Sequence, residues 1–176
     1  MSPLYAPPLP ERDEWQNPPE RVHQGVVCKK PEVVEGVVDK FHPEGVTKLV
    51  VTYQLSEESA GICEYKADGE DKKGPFQVRK RYNFNMFKNA NGSKMSSLCK
   101  DAEALRGKRF ATPLEASRFD AETLEGMNGL LNIVHNPDSS DPDKIWANVD
   151  TIMPLPKGMA KIEAKNGAAP DSEIPF

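Results

Sequence analysis

Apolar and polar positions alternate with a period of two over residues 76–87, FQVRKRYNFNMF. One set is Phe76, Val78, Lys80, Tyr82, Phe84 and Met86; the other is Gln77, Arg79, Arg81, Asn83, Asn85 and Phe87. Successive side chains of a strand point to opposite faces. The first set therefore predicts an inward stripe, and the second an outward row of guanidiniums, amides and one aromatic ring. The same period marks KLVVTYQL at 48–55, with Leu49, Val51, Tyr53 and Leu55 on one face. VVEGVVDKF at 33–41 is a β-branched run broken by Gly36, which predicts a bulge or sharp coil, and HPEG at 42–45 predicts a turn. KADGEDKKGP at 66–75 is rich in turn residues and predicts a loop.

Past the turn at 89–92 the period changes. In SKMSSLCKDAEALRG, residues 93–107, Met95, Leu98, Ala102 and Leu105 fall at helical spacing and Gly107 is placed to close the C-terminus. FDAETLEGM at 119–127 predicts a short helical turn with Asp120 as its N-cap. GLLNIVH at 129–135 and KIWANVDTIMPL at 144–155 predict the last strands, joined by NPDSSDPD and ended by Pro154 and Pro156. The order is three strands, a helix and two strands. That is the order of an OB-fold, a five-stranded Greek-key β-barrel with one helix between strands 3 and 4; such barrels commonly bind oligonucleotides on the face of strands 2 and 3. The barrel domain is expected over 22–156. Residues 1–21 are Pro-rich and aperiodic and predict a flexible arm in which Trp15 docks on the domain. Residues 157–176 have little to bury and predict a disordered tail.

Composition narrows the class. The 176 residues fit one domain with tails, and a hydrophobic content of 38% allows a modest core. No apolar run has transmembrane length, so no membrane partner is expected. The first residues lack the basic start and apolar stretch of a signal peptide. Cys28, Cys63 and Cys99 form no metal-binding spacing, which argues for free thiols in a reducing, cytoplasmic setting. No cofactor is implied.

The net charge of −4 is unevenly spread. Residues 72–109 hold eleven Lys or Arg against two acids, a net +9 that leaves −13 for the rest of the chain. Such a block is usually a solvated face. Here it coincides with predicted regular structure and aromatics, which favours an anionic partner.

Catalysis finds little support. His23, His42 and His135 lie far apart, and no metalloprotease motif, P-loop or nucleophile elbow occurs. Acids such as Glu57, Glu58, Asp138, Asp141 and Asp143 sit in polar loops. An enzyme is not expected; a metal-dependent nuclease is the rival reading. Single-strand binding needs cations along a backbone path and aromatic faces on which bases stack. Arg79 and Arg81 share a face with Phe87, and Lys88, Lys94, Lys108 and Arg109 flank that strand and its helix. Trp146 is opposite in parity to Ile145, Ala147 and Val149, so it is a further candidate; for it and Phe87 core and stacking weigh equally. Lys80 and Tyr82 complete the candidate set, although Tyr82, like Tyr53 and Phe84, fits the core better.

The sequence ends in DSEIPF, an apolar Ile-Pro-Phe behind acids. This ending resembles the acidic C-terminal tip of bacterial single-stranded DNA-binding proteins. The body, through VRKRYNFNM, KMSSLCKDAEALRGKRF, GLLNIVHNP and KIWANVDTIMPLPKGM, resembles phage replication proteins of OB type that bind single-stranded DNA, over roughly residues 22–159. The resemblance implies a non-catalytic protein that coats single strands in replication, recombination or repair, and whose tip recruits enzymes of those processes. Phe176 would then fill an apolar pocket, Pro175 stiffen the tip, Ile174 add area, and Asp171 and Glu173 meet basic residues. The tip is less acidic than the bacterial pattern, and the body does not read like the bacterial protein, so its tetramer does not carry over; a homo-oligomer remains compatible. An accessory factor acting mainly through protein contacts is the alternative.

Overall fold

A computed structural model describes residues 16–67 and 69–165. The chain is mainly β. Strands β1 (Val22–Val27), β2 (Glu32–Val37) and β3 (Val46–Leu55) are followed by a single helical turn, α1 (Glu57–Ala60). A hairpin, β4 (Ile62–Ala67) and β5 (Glu70–Pro75), then leads into β6 (Gln77–Asn83). Helix α2 (Ser97–Arg106), helix α3 (Pro113–Ser117) and a 3₁₀ turn (Ala121–Leu124) precede β7 (Asn128–Pro137) and β8 (Ile145–Pro154).

Six of these strands form one antiparallel sheet of order β2-β3-β1-β7-β8, with β6 on β3. β3 is central: β1 and β2 share one of its edges, and β6 takes the other. β6, which lies off this path on the other edge of β3, and β8, at the end of the path, lie in contact with no hydrogen-bonded ladder between them among the described residues. The mainly β class expected from the sequence is thus formed, but among the described residues the sheet does not close into a hydrogen-bonded barrel.

The inward face matches the alternation as far as Tyr82; β6 ends at Asn83, short of the predicted Phe87, and Phe84, expected in the core, is exposed because it lies past the strand's end. Leu49, Val51, Tyr53, Leu55, Val78 and Tyr82 join Leu131, Ile133, Val149 and Ile152 in one core, which α2 completes with Leu98, Cys99, Ala102 and Leu105. Ser96 caps α2 by accepting the Cys99 amide at 3.1 Å, and Gly107 ends it at φ 68. Asp120 caps the 3₁₀ turn by accepting the Glu122 amide at 3.0 Å. Gly36 sits at φ 70, where the β2/β3 register shifts between Val34 and Val37; this is the bulge its place in the run predicts.

Several elements differ from expectation. β1 is new; its Gly25 lies so close to β7 that a Cβ there would come within 2.8 Å of Leu131. The predicted loop at 66–75 is mostly the β4/β5 hairpin, paired from Ile62↔Pro75 to Ala67↔Glu70. Residues 160–165, in the stretch expected to be a linker, are hydrogen-bonded to the sheet, and so is the end of the expected arm. There Asn17 Nδ2 donates to the Ile145 carbonyl at 2.9 Å and the Ile133 amide to the Arg21 carbonyl at 3.0 Å. Trp15 lies outside the described residues.

His23 in β1 is 1% exposed. Its Nε2 donates to the Pro19 carbonyl at 2.7 Å, which leaves Nδ1 to accept from the Ser59 hydroxyl at 3.0 Å. Burial, with Arg21 nearby, holds its pKa below the ordinary 6.5, against the Pro19 hydrogen bond that raises it. As pH falls through that value the unfolded chain takes the proton first, so stability is full above it and declines below it. The melting temperature of the wild type should therefore drop as pH is lowered past 6.5, and a His23→Gln variant should show a flatter profile. Parallel profiles would mean that His23 does not carry the effect.

Candidate nucleic-acid interface

The outward row of β6 is set by its register on β3. Gln77 pairs with Gln54, Arg79 with Thr52, Arg81 with Val50 and Asn83 with Lys48. Arg79 and Arg81 are half-buried and point away from the core. Desolvation, and then the neighbouring Arg79 charge, lower the pKa of Arg81 from its ordinary value. Two guanidiniums held side by side in this way raise the local positive potential that an anion relieves.

Aromatic rings cluster at the Asn83 end of this row. Phe84 continues the ladder through its amide to the Thr47 carbonyl at 2.9 Å and is 43% exposed, and Phe87 is 57% exposed. A bridge pairs the buried Lys88 with Met95 in the following turn, and Lys94 beside Met95 is exposed. A groove of about 570 Å³ opens beside them, lined by Phe84, Met86, Phe87, Pro113, Phe119 and Ala121 among others.

The β2/β3 loop adds a residue that the sequence pattern does not single out. Asp39 Oδ1 accepts the amides of Phe41 at 2.9 Å and His42 at 2.7 Å, while Lys48 meets the other carboxylate oxygen at 3.2 Å. Desolvation opposes the charge of Asp39, but hydrogen bonds from His42, Lys48 and these amides outweigh it and hold its pKa at about 2. The turn so fixed presents Phe41 at 82% exposure, with Lys40 Nζ 5.9 Å from its ring centroid. Phe41 reads as the last residue of an apolar run. The signal for its exposure is Asp39 two residues before it, a side chain suited to capping a turn.

Lys80 and Lys88, expected on this surface, are not there, and Tyr82, a candidate that fitted the core better, lies in the core. Asp101 of α2 is 4% exposed and accepts Lys80 Nζ and the Tyr82 hydroxyl, each at 2.6 Å. Tyr82 is 2% exposed and shares a hydrogen bond of 2.9 Å with Tyr53; burial pushes its phenol pKa well up. Its ring has no face for a base. Lys88 is 8% exposed and holds Glu103 at 2.5 Å and the Phe110 carbonyl at 2.8 Å. Lys80 and Lys88 thus neutralise acids of α2 instead of facing solvent.

Lys108 and Arg109 are exposed but follow α2, which covers the core side of the sheet. They do not join the outward row. Trp146 is half-buried on β8, at the other end of the hydrogen-bonded path, where Nε1 donates to Asp138 at 3.0 Å. The predicted tip residues Asp171, Glu173, Ile174, Pro175 and Phe176 lie outside the described residues. Among the described residues, no group of three or more His, Cys, Asp or Glu is placed to hold a metal ion, and no helix is long and apolar enough to cross a membrane. No family model, curated protein or solved structure matches the chain.

Proposed function

We propose that this chain is an OB-type single-stranded DNA-binding protein, phage-encoded and acting in the host cytoplasm, that coats exposed strands in replication, recombination or repair. The observation that carries the reading is the outward Arg79–Arg81 row on β6, with the exposed rings of Phe84 and Phe87 just past the end of that strand and the exposed Phe41 on the β2/β3 loop, which Lys48 links to Asn83. Guanidiniums suit a phosphate path, and exposed rings suit unpaired bases, whose faces a duplex hides. The topology supports the OB reading: with β1 and β2 taken as one bent strand and β4/β5 as an insertion, five strands remain with α2 between the third and fourth. The tip at 171–176 is assigned to recruiting replication or repair proteins.

Anisotropy of labelled oligo-dT and a matched duplex at two salt concentrations tests the reading, using full-length protein and a version lacking DSEIPF. Tight, salt-weakened preference for the single strand is expected. Phe41→Ala and Phe87→Ala should each weaken it by roughly 1–3 kcal/mol for each base the ring stacks on. Absence of single-strand binding by both full-length and shortened protein would sink the coating function. The apolar groove beside Phe84 and Phe119 favours one second reading, an accessory factor that acts by binding protein.

A further inference from the structure

Residues 160–165 are held on the outer face of the sheet by three side-chain amides from three strands. Asn128 of β7 grips one residue at both polar groups: its Oδ1 accepts the Ile162 amide at 2.9 Å and its Nδ2 donates to the Ile162 carbonyl at 3.1 Å. Gln54 of β3 accepts the Lys165 amide at 2.9 Å and donates to the Glu163 carbonyl at 3.3 Å. Gln24 of β1 donates to the Ala160 carbonyl at 2.7 Å and to Asn128 Oδ1 at 3.2 Å. Asn128 and Gln54 are 4% and 3% exposed.

Almost every bond to the segment goes to its main chain. The side chains of 160–165 are exposed apart from the half-buried Ile162, and Lys165 adds one ion pair to Glu57 at 2.9 Å. No backbone-to-backbone hydrogen bond ties residues 160–165 to another described residue. The segment can therefore leave without breaking the sheet's ladders. Its departure would return buried amides to water, where they are readily solvated.

We infer that Gln24, Gln54 and Asn128 form a peptide-binding site that reads main chain, that residues 160–165 are its tethered occupant, and that it accepts an extended peptide in trans when that occupant is out. Tethering supplies an effective concentration on the order of millimolar, so a free peptide needs a similar concentration to compete. The site also fixes where the tail departs. Lys165 sits at Gln54, whose β6 partner is Gln77, one outward position from Arg79.

The test uses full-length ¹⁵N-labelled protein. In the wild type, the Ile162 and Lys165 amides should exchange slowly with solvent. Ile162→Pro removes the N–H that Asn128 accepts, and should speed exchange at Lys165 and shift the side-chain amide signals of Asn128 and Gln54. Adding a synthetic 157–166 peptide to that variant at millimolar concentration should restore those signals. The same peptide N-methylated at Ile162 and Lys165 should not. Lys165→Pro asks the same question from the Gln54 end if Ile162→Pro loosens the β7 amides. Unchanged Gln54 and Asn128 signals in both variants, or equal binding of the methylated peptide, would overturn the site. None of these readouts involves DNA, so they stand apart from the coating function.

Discussion

Replacing Arg79 and Arg81 together by alanine is expected to weaken binding to oligo-dT by roughly a hundredfold or more, at about 1.5 kcal/mol for each charged hydrogen bond removed. Both guanidiniums lie on the outward face of β6, across from Thr52 and Val50 and not toward the core. Both side chains are half-buried, so the melting temperature is measured alongside and affinity is compared well below the transition. The salt dependence is the more telling readout. Each phosphate contact on a single strand contributes about 0.7 to the slope of log K against log salt, so the double variant should be shallower by about 1.4. Arg79→Lys with Arg81→Lys should keep most of the slope while losing affinity, because lysine keeps the charge without the planar fork. Unchanged affinity in the alanine variant would move the weight to the accessory reading and its apolar groove.

The second large effect is expected inside the domain. Asp101→Ala should destabilise the fold by roughly 3–5 kcal/mol, because it leaves the partly buried Lys80 cation without its carboxylate. It also removes the acceptor of the Tyr82 hydroxyl. For a chain of this size the melting temperature should fall by on the order of 10 °C. Tyr82→Phe deletes two hydrogen bonds of the same network, to Asp101 and to Tyr53, and should cost about 2 kcal/mol. Both variants, measured below their transitions, should bind oligo-dT as the wild type does, since the network faces the core. A loss of affinity without a loss of stability would return Lys80 to the binding surface.

These two sites also mark where the sequence can be read and where it cannot. The alternation at 48–55 and 76–87 locates β3, β6 and the outward arginines, because a half-buried strand must repeat every second residue. Gly36 and Gly107 are legible through the backbone conformations they adopt. The role of Lys80 is not. A lysine on an inward stripe looks like an error of parity until Asp101, 21 residues later, is folded onto it. Lys88 and Glu103 hide in the same way, 15 residues apart. β1 escapes the pattern because it contains His23 and Gly25, and its pairing with β7 is set by packing against a strand about a hundred residues away. The β4/β5 hairpin reads as a loop because it stands off the main sheet as a separate two-stranded one, rich in charge, and so carries little apolar pattern. The held segment at 160–165 reads as a linker for a different reason. It is gripped by its peptide groups, which every residue has, so its own side chains announce nothing.

The bulge at Gly36 bears on colloidal behaviour. β2 is the outermost strand of the sheet, and its free edge pairs with no described strand. An open, regular edge invites the same edge of another molecule, and a protein that gathers densely along a polymer would meet such edges often. Past Val34 the register is broken and the strand bends, while Glu32 and Glu35 add charge. What remains is too short and too irregular to template a fibre. A glycine that reads as a flaw in an apolar run thus breaks the regularity of the one edge at which β2 pairs with no described strand.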